Sequence, residues 1–274
     1  MMGGHHAATG AAVWLAVTTR FHVDLGAVAS GTPWGLPAFD VGWGLLPVSP
    51  LGAATGALVT AGAALLPDAD HRNATIAHSL PPVSKALCLC MEGLAGGHRH
   101  GTHSILGLAA FTVLAWAAGL WQLTLPGLGT VDAGAGLLSI LLISFAAKAL
   151  KLVPDRLKVT PWVVGVLLGG FIAVFAPEEQ GWFPQAVFLG VAAHIVGDAL
   201  TVGGVNPFWP FVVKSPRFFR RLPLLSSVWT RGGYFAVPVL GKAGSIREWL
   251  LLVPVSLYTL WALGMTAFQV LARR

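Results

Sequence analysis

The sequence predicts an all-α fold, a polytopic bundle of about five to seven transmembrane helices. Hydrophobic residues make up 55% of the 274 residues and charged residues only 10%, whereas soluble domains carry about 25% charged residues. The mean hydropathy is +0.73, so much of the surface is expected to face lipid. The 11 tryptophans agree with this, because Trp collects at membrane interfaces.

The elements of this fold are apolar segments that could cross or nearly cross a bilayer, which takes roughly 20 residues, with about 17 tolerated. The five clear segments span residues 104–125, 133–150, 161–176, 184–202 and 249–271, and the two weaker ones span residues 7–17 and 51–66. Whether the first weak segment runs on to Ala29 stays open. In the second, Gly52, Gly56 and Gly62 are expected to let a neighbouring helix approach closely.

The connections between these segments differ in charge, and this difference predicts the orientation. Lys and Arg lie in three connections, residues 68–101, 151–160 and 206–247, and are absent from the connections at residues 30–50, 126–132 and 177–183. The positive-inside rule places the basic connections in the cytoplasm. Seven crossings then put the N-terminus inside and the C-terminus outside. Arg273 and Arg274, which this topology places outside, do not agree with the positive-inside rule. The short apolar piece at residues 83–94 is expected in the interface.

The chain is interpreted as one integral membrane domain, residues 1–274, in which residues 206–247 form a long basic loop. The net charge is +6, and the basic residues flank apolar runs, so membrane lipids are the expected partners and nucleic acid is not. Cys88 and Cys90 are too close in sequence for a disulfide and too few for a zinc set, so they are interpreted as apolar filler. No signal-peptide pattern precedes the first segment, which is expected to be retained.

His194 and Asp198 are the most informative polar residues, because they interrupt a segment of Ala, Val, Ile and Leu. Their spacing of four places both side chains on one helix face, where an imidazole and a carboxylate can share a cation. Ionisable residues at membrane depth are costly and mark function more often than not. The alternative is a hydrogen-bonded pair that holds two helices together.

Two further clusters are predicted on the same side of the membrane. In Pro67-Asp68-Ala69-Asp70-His71, a proline ends a helix and three candidate ligands follow. In the loop at residues 97–104, three imidazoles and two glycines suit a metal loop, and Arg99 could contact a phosphate oxygen. A solvated helix end and a basic juxtamembrane loop are the respective alternatives.

Taken together, these clusters predict a His/Asp metal site at the cytoplasmic face. Such ligands suit Zn²⁺ first, with Mn²⁺ or Fe²⁺ as alternatives, and their number allows one to three ions. A metal-activated water would attack a phosphoester or phosphodiester. The expected roles are general base for Asp68 or Glu248, charge stabilisation for Arg99, and bridging ligand or orienting group for Asp70. The expected substrate is a small molecule or a lipid. The lipid substrate is inferred only from the position of the site, which lies at the depth of the lipid headgroups.

These motifs resemble the YdjM-type family of predicted membrane-bound, metal-dependent hydrolases. The resemblance spans about 240 of the 274 residues. The matching stretches, in the family's order, are His6, LLPDADH (65–71), GHRHGTHS (97–104), AHIVGDALT (193–201), NPFWP (206–210) and GSIREW (244–249). The family is thought to be distantly similar to zinc-dependent phospholipase C.

The resemblance implies a set of metal ligands and one further acidic residue. The implied ligands are His6, Asp68 or Asp70, His71, His98, His103, His194 and Asp198, and Glu248 matches the family's glutamate near the last helix. The chain departs from the family's HRG-x-THS pattern at His100-Gly101, which could shift the loop or add a ligand. Residues 211–235 are longer and richer in Arg and Pro than is usual in the family.

Two other functions compete with hydrolysis. A transporter, or a non-catalytic metal-binding scaffold, would also use His and Asp within the membrane. However, the polar residues pool at one face, and segments 104–125 and 249–271 contain no ionisable residue. A membrane adaptor would use the basic loop at residues 206–247 to bind lipid or protein, but it would leave the His/Asp clustering unexplained.

Overall fold

The computed structural model describes residues 1–28, 37–152, 159–175 and 181–272 of a mostly helical chain. The α-helices are α1 (Gly3–Thr18), α2 (Leu25–Val28), α3 (Pro50–Ala63), α4 (Val83–Ala95), α5 (Ile105–Gly119), α6 (Ala133–Ala149), α7 (Thr160–Phe175), α8 (Trp182–Ala199), α9 (Arg217–Arg221), α10 (Pro223–Val228) and α11 (Ile246–Ala272). Three 3₁₀ turns (Pro67–Asp70, Thr75–His78 and Gly101–His103) and four short strands connect them. Parts of the predicted connections 30–50, 151–160 and 177–183, and Arg273–Arg274, lie outside the described residues.

All seven predicted apolar segments form helices, namely α1, α3, α5, α6, α7, α8 and α11. Two helical stretches are long and apolar enough to cross a membrane, Pro50–Asp70 and Ile246–Ala272, while α5, α6 and α7 are apolar but shorter. The Pro50–Asp70 stretch is mostly buried in the bundle. In contrast, α11 presents large apolar side chains such as Leu250 and Leu257 to the outside.

The all-α prediction misses two small antiparallel sheets. Strand β1 (Phe21–Asp24) pairs with β2 (Ala38–Val41), and β3 (Leu123–Leu125) pairs with β4 (Gly129–Val131). Because β1 begins three residues after α1 ends, the first helix does not run on towards Ala29, the possibility that the sequence left open. Aromatic and β-branched residues in these connections favour paired strands once a turn closes them.

Helices α1, α3 and α8 pack against one another, with α5 against α8 and α6 against α3. Small residues permit this packing. A Cβ added at Gly62 would lie 2.0 Å from the carbonyl oxygen of Leu142 on α6, and one added at Gly56 would meet the Trp14 ring at 2.2 Å. The close approach predicted for these two glycines is confirmed.

Several buried ionisable residues lie together at one end of the bundle. The beginning of α1 meets the end of α8 there, with His6 beside Asp198. The 3₁₀ turn that follows α3 and the turn that precedes α5 meet at the same place, where Asp70 contacts His103. The predicted convergence at one end of the helices therefore exists, and its geometry defines a candidate site.

Candidate metal centre

His194 lies on the last turns of α8 and is buried. Its Nδ1 is 2.7 Å from the carbonyl oxygen of Ala64, just after α3. Because a carbonyl oxygen can only accept a hydrogen bond, Nδ1 carries the proton and donates it. The neutral ring therefore presents an unprotonated Nε2 to the interior of the site.

His103 is fixed in the same way from the other side. It ends the 3₁₀ turn Gly101–His103, and the hydroxyl of Ser104 then caps α5 by accepting from the amide of Gly107 at 3.1 Å. The ring Nδ1 lies 3.2 Å from Asp70 Oδ2 and 3.0 Å from the Thr102 hydroxyl, whose own proton goes to Asp70. Both neighbours can accept from Nδ1, which favours the tautomer in which Nε2 of His103 is free to bind a cation.

The two Nε2 atoms of His103 and His194 face each other at 3.0 Å. Two lone pairs at this separation repel unless a proton or a cation lies beside them. In proteins, metal-bound imidazoles commonly donate the other ring N–H to a carboxylate or a backbone carbonyl. Asp70 and Ala64 supply these two acceptors here, so the arrangement is that of a ligand pair.

Two carboxylates complete the set around these nitrogens. Asp198 Oδ2 lies 3.6 Å from Nε2 of His103 and 3.8 Å from Nε2 of His194. Asp68 Oδ1 lies 4.0 Å and 3.7 Å from the same two atoms. Ligands about 2.0–2.1 Å from a tetrahedral zinc are separated by roughly 3.3–3.4 Å, so the three atoms of Asp68, His103 and His194, which lie near these separations, could hold one small divalent cation.

His6 extends the cluster on the side of Asp198. Its ring stacks on that of His194, with centroids 3.7 Å apart, and its Nε2 lies 3.2 Å from Asp198 Oδ1. Both ring nitrogens are buried without a hydrogen-bond partner. The amino group of Met1 also contacts Asp198 Oδ1. Two overlapping groups could therefore hold metal, Asp68 with His103 and His194, and His6 with His194 and Asp198.

Asp70 acts on the site through its neighbours. Its Oδ2 accepts from the Arg99 amide at 2.9 Å and from the Thr102 hydroxyl at 2.8 Å, while Oδ1 lies 2.8 Å from His98 Nδ1. Both oxygens are thus occupied by protein donors, and the geometry favours the orienting role over the bridging one. The hydrogen bond with Asp70 raises the pKa of the half-exposed His98.

Arg99 lies beside the ligand set, with its backbone in the left-handed region at φ 63°. Its guanidinium is 3.0 Å from Asp198 Oδ2 and donates to the Thr201 hydroxyl and the Gly204 carbonyl at 3.3 and 3.2 Å. A Cβ at Gly203 would lie 2.0 Å from Arg99 Nη1, so the guanidinium depends on that glycine for space. The positively charged guanidinium of Arg99 therefore lies next to the candidate metal position.

Two predicted site residues lie apart from the cluster. His71 is exposed, and its ring centroid is 5.4 Å from that of His98 rather than beside His103. Glu248 is buried but contacts the amides of Met2 and Gly244, each at 2.7 Å, and the ring of His5. Its carboxylate holds the N-terminal turn of α1 in place and does not join either ligand group.

Three groups that shape the centre were not predicted from the sequence. They are the Ala64 carbonyl, the Thr102 hydroxyl and His5. Only Thr102 had a sequence signal, since it immediately precedes His103. The Ala64 carbonyl is invisible in a sequence because every residue has one, and the role of His5 depends on where α11 begins.

The fold and this centre together define a helical membrane protein with a buried His/carboxylate set that could hold a metal ion. The chain belongs to the YdjM inner membrane protein family, whose family model matches residues 1–269. No curated protein and no solved structure matches it significantly. The family predicted from the motifs is thereby confirmed.

Proposed function

We propose that this protein is a metal-dependent hydrolase of the plasma (inner) membrane that cleaves a phosphoester or phosphodiester at the cytoplasmic face. The observation that supports it best is the pair of Nε2 atoms on His103 and His194, which face each other at 3.0 Å between two carboxylates. The bundle holds both rings in the tautomer that binds metal. Without a cation there, the two Nε2 atoms would have to share a proton or bury opposed lone pairs at a cost.

The donor set fits a divalent metal, with zinc first and manganese or iron as alternatives. Two imidazole nitrogens and two carboxylate oxygens suit all three, and no thiolate among the described residues joins either group to select zinc more strongly. Because the two groups share His194, one to three ions remain compatible with the arrangement. When bound, the metal would lower the pKa of a water molecule to ~7 and polarise a phosphoryl oxygen.

The exposed side chains of the centre indicate the side from which a substrate would enter. His6, His103, His194 and Asp198 are all buried, whereas Asp68 is 24% exposed and Arg99 19% exposed. Substrate would therefore approach over Asp68 and Arg99, with His98 at the rim. From this side Arg99 would donate hydrogen bonds to a phosphoryl oxygen, and Asp68 would accept the proton from the attacking water.

The proposed topology has seven crossings, with the metal end of the bundle towards the cytoplasm. It rests on the Lys and Arg of residues 68–101 and 206–247, which belong to the same end as the ligands. Reporter fusions in the 177–183 connection and in the 206–247 loop test it. Activity of a periplasmic reporter at the second position would invert the orientation.

Elemental analysis of the purified protein, paired with hydrolysis of a generic phosphodiester, tests the proposed function. We expect stoichiometric metal in the wild type and its loss in His103→Ala and His194→Ala. His71→Ala should retain metal because that ring lies outside both ligand groups, and His78→Ala, at an exposed position, is the matched control. Bound metal with no cleavage of any phosphoester would favour the metal-binding scaffold, and a wild type without metal would refute both.

A further inference from the structure

The segment between the end of α8 and the beginning of α11 has an unusual charge. Residues 199–247 contain seven Lys and Arg and no Asp or Glu. Because the whole chain carries a net charge of only +6, the remainder is close to neutral. The positive field of the protein is therefore concentrated in this one segment.

Within it, residues 208–222 form what we term the basic strip, in which exposed apolar side chains alternate with cations. Phe211 is 74% exposed, Phe218 64% and Val212 54%. Lys214, Arg217 and Arg221 are exposed between or beside them. Large apolar side chains interleaved with Lys and Arg are typical of segments that lie in the headgroup layer of a membrane.

Three cations of the basic strip, Lys214, Arg217 and Arg221, have no ion-pair partner among the described residues. Two exposed arginines outside residues 199–247 are paired, Arg20 with Asp40 and Arg72 with Glu92. A ligand for the strip must therefore bring its own negative charge and must also accommodate apolar side chains.

The basic strip is attached directly to the loop that carries the metal-centre histidines. The carbonyl oxygen of Pro207 accepts from the amide of Ile105 at 3.0 Å. The Trp209 ring packs on Gly96 and Gly101, where an added Cβ would lie 3.3–3.4 Å from its carbons. The beginning of the basic strip therefore lies against the loop that carries His103.

We propose that the basic strip binds the phosphate groups of anionic phospholipids, while Phe211 and Phe218 insert at the acyl boundary. Charge complementarity selects an anion, and the exposed rings select one that lies in a membrane over a soluble acidic partner. The binding itself is independent of the metal. Its link to catalysis, in which the strip gathers anionic headgroups as substrate, rests on the proposed function.

Native mass spectrometry of the full-length protein in detergent, with phosphatidylglycerol and phosphatidylcholine added separately, tests the binding. We expect the wild type to retain phosphatidylglycerol preferentially. The triple variant Lys214→Gln, Arg217→Gln, Arg221→Gln should bind it about tenfold to hundredfold more weakly, since each basic residue near an anionic surface contributes to the free energy of binding. The control is Arg20→Gln with Arg72→Gln, which removes paired cations outside the strip and should leave retention unchanged.

A second variant, Phe211→Ser with Phe218→Ser, should weaken retention of both lipids without removing the preference between them. Equal retention of the two lipids by the wild type, or undiminished phosphatidylglycerol in the triple variant, would overturn the proposal. Metal content measured on the same samples separates the two hypotheses. A wild type that selects phosphatidylglycerol but holds no metal would refute the proposed function and support the lipid-binding proposal.

Discussion

The imidazole of His6 stacks on that of His194, with the ring centroids 3.7 Å apart and 14° between the ring planes. This contact joins the first turn of α1 to the last turns of α8. Because both rings are buried and Asp198 lies against His6, the first turn of α1 forms one side of the candidate centre. Any group that positions α1 would thereby affect metal binding at this centre.

Asp70→Asn should weaken metal binding about tenfold to hundredfold without unfolding the protein, because groups that orient metal ligands contribute on this scale. The Asn side chain cannot accept from His98, Thr102 and His103 together. Competition with a chelator of known affinity measures the change. Asp40→Asn, which alters an exposed carboxylate paired with Arg20, is the control, and equal metal affinity in both variants would count against the orienting role.

Glu248→Gln should lower stability by about 1–3 kcal/mol, because one buried acceptor of the Met2 amide, the Gly244 amide or the His5 ring becomes a donor. A drop in Tm in detergent measures it. Hydrolysis per folded molecule should persist, since this carboxylate belongs to neither ligand group. A pH–rate profile that loses its acidic limb in the variant would instead make Glu248 the general base. Glu92→Gln, which removes a partly exposed ion pair with Arg72, should lower Tm much less, because surface ion pairs contribute at most about 1 kcal/mol.

Gly62→Ala should destabilise the bundle by about 1–3 kcal/mol, the usual cost of overpacking. The new methyl group would lie 2.0 Å from a backbone oxygen of α6, and backbone atoms cannot move aside cheaply. Gly170→Ala is the matched control on α7, because nothing lies within 4 Å of its built Cβ. That change should stabilise the helix by about 0.5–1 kcal/mol. Thermal unfolding in detergent compares them, and equal Tm values would refute the packing.

The two cysteines should react at very different rates with N-ethylmaleimide at pH 8. Burial raises the pKa of the Cys88 thiol to about 11, so its thiolate fraction is about 0.1% at this pH. Cys90, two residues along α4, is exposed and should be modified first. Mass spectrometry of the Cys88→Ser and Cys90→Ser variants measures each rate, and rapid labelling of Cys88 in the folded protein would contradict its burial.

The helices were predictable because a run of apolar residues long enough to reach across a bilayer has little alternative to helix. The strand pairs were not, since β1 and β2 are separated along the chain and each is only four residues long. In the candidate centre, spacing on α8 correctly placed His194 and Asp198 on one face. At the turn after α3, sequence spacing did not predict which side chains face the centre. The 3₁₀ geometry buries Asp70, whereas the extended backbone at His71 directs that ring outwards.

The candidate ligands come from the first, third and eighth helical regions of the chain and from the turn before α5. During synthesis the ribosome releases α1 and α3 well before α8, so a nascent chain holds only partial ligand sets. Under the proposed function, capture of the cation would therefore wait until residue 198 has joined the bundle. Bound metal would then distinguish chains whose bundle has closed, and a truncated or misinserted chain would lack it.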